Sequence, residues 1–275
     1  MNDIRLIAFD LDGTLLTTNK ELTRRTRAAL CAAADAGIHL VPTTGRIFMG
    51  LPEEIREMSF IRYAICANGA AVFDRTEGKD LYSAEIPVEK AVEVMSWLDQ
   101  FDVLYDCYMD NQGWMTESMW DKAPEYASIP YLVSSIRRLR HPVPELKAFL
   151  REYGGSVQKI QSFQKTVEMQ RFLIEETGRR FPELAVSTSV LRNVEINHAD
   201  ANKGKALLVL AEKLGLCRRQ TMAFGDGLND VSMIREAGSG VAMSNACDAV
   251  LAVADRVTLS NDEDGVAAVI EELLA

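Results

Sequence analysis

Four consecutive apolar residues, Leu6-Ile7-Ala8-Phe9, run directly into two aspartates, Asp10 and Asp12. An unbroken apolar run this short reads as a strand buried on both faces, the kind found where helices cover a parallel sheet. Thr23 is placed to cap a helix start and Gly37 to stop that helix. Ile38-His39-Leu40-Val41 and Tyr63-Ala64-Ile65-Cys66 read as the next two strands. Strand, helix, strand, helix, strand at this spacing implies a parallel sheet with right-handed crossovers. The end of the chain repeats the style. Thr221-Met222-Ala223-Phe224 is a strand, then a Gly-rich turn and a helix through Ile234. Gly240-Val241-Ala242-Met243 is another strand, and an amphipathic helix closes the chain from Asp264.

The middle differs. Between about Ala84 and Ser189 lie Trp97, Trp114 and Trp120, all the tryptophans of the chain. That bias marks an inserted α+β domain over residues 84–189, with residues 1–83 and 190–275 completing one core. At 275 residues and 48% hydrophobic, both parts can bury a core without staples. The net charge of −10 argues against nucleic acid or an anionic membrane as the main partner, but not against a small anionic substrate. Cys31, Cys66, Cys107, Cys217 and Cys247 are scattered without a CxxC pair, so neither a disulfide framework nor a zinc site is indicated. The first apolar run is too short for a signal peptide, and no stretch approaches a membrane span. These features predict a soluble protein of the reducing cytoplasm.

The chemistry-bearing residues fall just after predicted strands, where open α/β sheets bind their ligands. Asp10 and Asp12 are close enough to share a cation, and Gly13 permits an abrupt turn. Alone, such a DxDG is a solvated acidic turn. A second cluster, Phe224-Gly225-Asp226-Gly227-Leu228-Asn229-Asp230, changes that reading. If both clusters share one sheet edge, four carboxylates converge, which is costly without a compensating cation. Hard oxygen ligands favour Mg²⁺. Thr43-Thr44-Gly45-Arg46 offers a hydroxyl and backbone N–H groups opening a helix, a ready anion site. Asn202-Lys203-Gly204-Lys205 begins a further helix, with Lys203 placed to hold a phosphate.

Taken together, these four ordered motifs resemble the haloacid dehalogenase superfamily of phosphatases, and the long insert resembles that of its Cof-type branch with a class IIB cap. Supporting stretches are Ala67-Asn68-Gly69-Ala70, Val194-Glu195-Ile196, Val241-Ala242-Met243-Ser244-Asn245-Ala246 and Ser260-Asn261-Asp262-Glu263-Asp264-Gly265. The resemblance implies an α/β fold: a Rossmann-like parallel-sheet core with helices on both faces, plus an inserted α+β cap.

It further implies that Asp10 is the nucleophile and Asp12 the general acid and base. Mg²⁺ would be held by the Asp10 carboxylate, the Asp12 backbone carbonyl and Asp226, with Asp230 close behind. Thr44, Lys203 and Asn229 would bind phosphoryl oxygens, helped by backbone N–H groups of Leu11 and Gly45. Thr44 adjoins the glycine and is preferred over Thr43. The expected activity is Mg²⁺-dependent hydrolysis of small phosphorylated metabolites through an aspartyl phosphate. Sugar phosphates come first, with flavin mononucleotide or pyridoxal phosphate behind them. A sugar phosphomutase is the alternative within the superfamily, and a non-catalytic phospho-acceptor the alternative outside catalysis. Neither nucleic acid, membrane nor an obligate protein partner is expected. His39, His141 and His198 lack ligand spacing, Cys66 reads as a core residue, and Arg137-Arg138-Leu139-Arg140 as a solvated basic patch. Met109-Asp110-Asn111-Gln112-Gly113-Trp114 reads as a hairpin, either presenting a cap residue to the substrate or serving as an ordinary turn.

Overall fold

A computed structural model describes residues 3–126, 130–189 and 191–275. It is a mixed α/β protein with a parallel-sheet core. The chain divides into two compact units: Met1–Thr44, Leu51–Tyr82 and Asn202–Ala275 form the first, Gly45–Gly50 and Ser83–Ala201 the second.

The chain begins with β1 (Leu6–Phe9), β2 (His39–Pro42), β3 (Tyr63–Cys66), β4 (Ala71–Asp74) and β5 (Lys79–Ser83). It continues with β6 (Val103–Met109), β7 (Gln112–Thr116), β8 (Arg140–Val143), β9 (Lys159–Gln164), β10 (Leu184–Ser187) and β11 (Asn193–His198). It closes with β12 (Thr221–Gly225), β13 (Ser239–Ala242) and β14 (Arg256–Val257).

The first unit's main sheet has the order β14-β13-β12-β1-β2, and its pairings are parallel. Alternate residues of β1 face opposite sides. Leu6 and Ala8 pack with Ala206, Leu207 and Leu210 of the helix Lys203–Lys213, and with Met233 and Ile234 of the helix Val231–Glu236. Ile7 and Phe9 on the other side are equally buried. Two covered faces are what the unbroken apolar run requires. The first helix is Arg24–Asp35, capped by the Thr23 hydroxyl, which accepts from Thr26 N–H, and followed by Gly37 at φ +80°.

β3 departs from expectation. It is not a further parallel strand of the main sheet but pairs antiparallel with β4 in a separate three-stranded sheet, touching β2 through a single parallel bridge, Thr43 to Ile65. The turn Ala67–Gly69 reverses the chain at once, leaving no crossover length.

The second unit is α+β. Its six-stranded sheet has the order β10-β11-β9-β6-β7-β8. One face buries Val94, Leu98, Tyr105, Cys107, Leu150, Ile160, Leu173 and their neighbours. The other face combines Leu104, Met115, Phe163 and Ile136 with buried charged pairs. Asp110 and Asn111, at φ +52° and +55°, make the two-residue turn of the expected β6–β7 hairpin. The predicted return to the core at residue 190 is corrected to Asn202, because β11 is tied by ladder hydrogen bonds to β9 and β10. Arg140 is also corrected: it is buried, its guanidinium donating to Asp106 at 3.0 Å, while Arg137 and Arg138 are exposed. Cys66 is a core residue whose burial pushes its thiol pKa up. No helix among the described residues is long and apolar enough to cross a membrane.

Candidate active site

The strand order reverses between β1 and β12: the chain steps outward to β2 on one side and to β13 and β14 on the other. Such a switch point opens a crevice at the carboxyl ends of the two strands. Phe9 stands opposite Phe224 there, so Asp10 and the Gly225-Asp226 turn emerge side by side, with Asp10 N–H donating to Phe224 O at 3.1 Å. The two acidic clusters, more than 200 residues apart in sequence, meet for this reason.

Lys203, at the start of its helix, fixes the centre. The helix is capped by Asn202, whose side chain accepts from Lys205 N–H at 2.7 Å. The Lys203 ammonium is fully buried and lies 2.6 Å from Asp10 Oδ1 and 2.6 Å from Asp230 Oδ1. Asp230 Oδ2 accepts from the N–H groups of Asp226 and Gly227 at 3.0 and 2.9 Å, which folds the Gly-rich turn around it. Asp226 Oδ1 accepts from the Thr14 hydroxyl at 2.6 Å. Gly13, at φ +89°, makes this approach possible, because a Cβ there would stand 2.4 Å from Asp226 Oδ2.

Oxygens of Asp10, Asp226 and Asp230 lie within 4.8 Å of one another. Three carboxylates against one ammonium leave the group short of positive charge. Burial, opposed by Lys203, pushes the Asp10 carboxyl up to about 7. Burial, opposed by Thr14 and reinforced by Asp230, pushes Asp226 up to about 6. Burial works against the Lys203 ammonium, but Asp10 and Asp230 outweigh it and hold its pKa above the ordinary lysine value. The hard oxygen donors and the uncompensated charge suit a divalent cation.

The Asp12 carboxylate stands outside that group of three; its Oδ1 pairs with Lys20 Nζ at 2.9 Å. Leu11 is fully buried, and its carbonyl accepts from Thr14 and Leu16 N–H. Thr43 donates its hydroxyl to Val41 O at 3.1 Å, and Thr44 beside it is buried. No α-helix opens at Thr44, contrary to expectation. A 3₁₀ turn at Phe48–Gly50 comes first and the helix is Glu53–Arg56, because Arg46 donates to Gly50 O and Pro52 sets the next start. Gly45 falls in the second unit, where its carbonyl accepts from Lys159 Nζ.

Asn229 donates to Asn68 Oδ1 at 3.3 Å. Asn68 belongs to the tight turn after β3 with Ala67, both at positive φ, and its N–H donates to Thr44 O at 3.0 Å. Asn68, Thr14 and Lys20 therefore border the site without having been assigned roles from sequence. A signal existed for the first two: the Asn-Gly after a buried strand and the hydroxyl closing the DxDGT run.

Residues 7–270 match the family model of the haloacid dehalogenase-like hydrolases. The chain is 30% identical to phosphatase YwpJ of Bacillus subtilis (strain 168), over 98% of this chain and all of that protein. It is 32% identical to the pyridoxal phosphate phosphatase YbhA of Escherichia coli (strain K12), over 96% of each. A solved haloacid dehalogenase-like hydrolase from Bacteroides thetaiotaomicron superposes with a TM-score of 0.82 at 29% identity, covering 98% of this chain and 99% of that one.

Proposed function

The chain belongs to the haloacid dehalogenase-like hydrolases, and from that premise we propose that it is a Mg²⁺-dependent phosphatase acting on small phosphorylated metabolites through an aspartyl phosphate on Asp10. One observation carries the reading: a carboxylate at the carboxyl end of β1 is bound by a fully buried ammonium that also binds Asp230, with Asp226 alongside.

An Asp10 carboxylate oxygen attacks phosphorus, the new O–P bond forming as the ester O–P bond breaks. Asp12 gives its proton to the departing alkoxide. Asp12 then takes a proton from water, whose oxygen attacks phosphorus and returns Asp10 as a carboxylate with release of inorganic phosphate. One acid/base group thus serves both displacements. A carboxylate approaching a phosphate dianion is repelled by about 4 kcal/mol per unit pair at 4 Å and an effective dielectric near 20. Lys203 is placed to offset that repulsion, with Thr44, Asn229 and the backbone N–H groups of Leu11 and Gly45 assigned to the phosphoryl oxygens. A Mg²⁺ ion held by Asp10, Asp226, Asp230 and the Asp12 carbonyl would supply further positive charge at the phosphoryl group.

Sugar phosphates and pyridoxal phosphate are the substrates to test first; the second is named for the Escherichia coli relative. The unit Ser83–Ala201 is read as the cap of the resemblance and the seat of substrate choice. Five free cysteines support a reducing, cytoplasmic setting. The test is phosphate release from a metabolite panel with Mg²⁺, with EDTA, and with Asp10→Asn. Release that needs Mg²⁺ and vanishes in the variant is expected; release unaffected by Asp10→Asn would overturn the mechanism.

A further inference from the structure

Two sequence stretches, residues 241–246 and 260–265, have no part in the mechanism above, yet both grip the segment that follows Asp12. Asn245 Nδ2 donates to Gly13 O at 2.8 Å, and Asn245 Oδ1 accepts from Asn261 N–H at 3.0 Å. That pair of bonds fixes the amide's orientation, since the flipped amide would set donor against donor and acceptor against acceptor. Asn261, itself buried, donates Nδ2 to Leu16 O at 2.9 Å. Asp262 accepts from both the N–H and the hydroxyl of Thr18, at 2.8 and 2.7 Å. Gly13, Leu16 and Thr18 are therefore held at three successive points from the far end of the chain.

The strap ends where it began. Lys20 occupies the left-handed region at φ +65°, its N–H donating to Thr17 O at 2.8 Å, and its ammonium turns back to Asp12 Oδ1 at 2.9 Å. A non-glycine residue persists there only where the surroundings over-determine it. The Gly13 carbonyl belongs to the peptide that joins Gly13, the neighbour of Asp12, to Thr14, whose hydroxyl binds Asp226. A shift of that peptide would move Thr14 directly and displace Asp12 through Gly13, the residue that joins them.

We propose that Asn245 and Lys20 are positioning residues for Asp12, Asn245 by fixing the Gly13 carbonyl and Lys20 by holding the Asp12 carboxylate. The role rests on the phosphatase reading above, in which Asp12 protonates the leaving oxygen. Exposed ion pairs and single exposed hydrogen bonds add little stability, so the effect is geometric.

The experiment compares kcat/KM for an alkyl monoester, glycerol phosphate, with that for p-nitrophenyl phosphate, in Asn245→Ala, Lys20→Ala and Lys20→Arg. This constant reports transfer to Asp10 and not the later hydrolysis. An alkoxide needs the proton from Asp12; a nitrophenolate leaves without it. Both alanine variants should lose about tenfold on glycerol phosphate and less than about twofold on p-nitrophenyl phosphate, the scale of a slightly misplaced acid. Lys20→Arg should recover most of the loss, and thermal unfolding should barely move. Equal losses on the two esters, or no loss on either, would overturn the positioning role while leaving the phosphatase reading intact. If the unsubstituted protein releases phosphate from neither ester, the phosphatase reading falls and takes this role with it.

Discussion

Lys203 places its buried ammonium 2.6 Å from Asp10 Oδ1 and so joins a helix start to the end of β1, 193 residues away in sequence. The same nitrogen holds Asp230. Each partner makes the burial of the others tolerable.

Removing that ammonium should be severe. Lys203→Met leaves Asp10 and Asp230 buried without their shared partner, and stability should fall by about 3 kcal/mol. Denaturant unfolding in EDTA measures this. Added Mg²⁺ should restore part of the stability but not the turnover. A variant as stable as the parent would show that the ion pairs contribute nothing net.

The pH dependence of stability should carry a distinctive sign. Asp10 and Asp226 are held near 7 and 6, above the ordinary carboxyl value of 3.8. A group whose folded pKa is raised stabilises the protein fully below its unfolded value and loses that contribution as pH rises through its folded value. In EDTA these two groups should lower stability between about pH 4 and pH 7 and stay level above it. Asp226→Asn should flatten that slope below about pH 6 and leave the part between about pH 6 and pH 7, which belongs to Asp10. Mg²⁺ should raise the melting temperature more at pH 7.5 than at pH 5, because protonated carboxyls bind the ion poorly.

Gly69 sits at φ +94°, and a Cβ there would stand 2.3 Å from the Asn202 carbonyl carbon and 2.8 Å from Lys203 N. Gly69→Ala therefore meets backbone, which cannot swing aside, as well as an unfavourable φ. A loss of about 2 kcal/mol is expected, with kcat falling because Lys203 is pushed from Asp10. Calorimetry and steady-state kinetics on one preparation would check both; unchanged kcat would separate the turn from the site.

In the second unit, Arg140 and the fully buried Asp106 form an ion pair at 3.0 Å, and Gln161 also donates to Asp106 at 3.1 Å. Arg140→Met should destabilise by about 3 kcal/mol, by leaving a buried carboxylate with one neutral donor. Combining it with Asp106→Leu should recover most of that. Urea unfolding of the single and double variants gives the comparison, and a double variant no better than the single would point to lost packing.

What was legible in the sequence was local. The apolar run of β1, the Thr23 cap, the Asp110-Asn111 turn and the helix start at Lys203 are each written in a few consecutive residues, and backbone sterics and capping decide them. The placement of Asp10 and Asp226 at strand ends was legible for the same reason. Their meeting followed from the expectation of one sheet, and the tertiary structure supplied it through the β1–β12 pairing. Only the tertiary structure decided that β3 turns back on β4, that β11 belongs to the second unit, and that Arg140 is buried. It alone placed Lys203 between two carboxylates, Lys20 on Asp12 and Asn245 on Gly13. Those contacts depend on which strands pair and in what register. Hydrogen-bond ladders and the burial of charge settle that across hundreds of residues, where no run of neighbours records it.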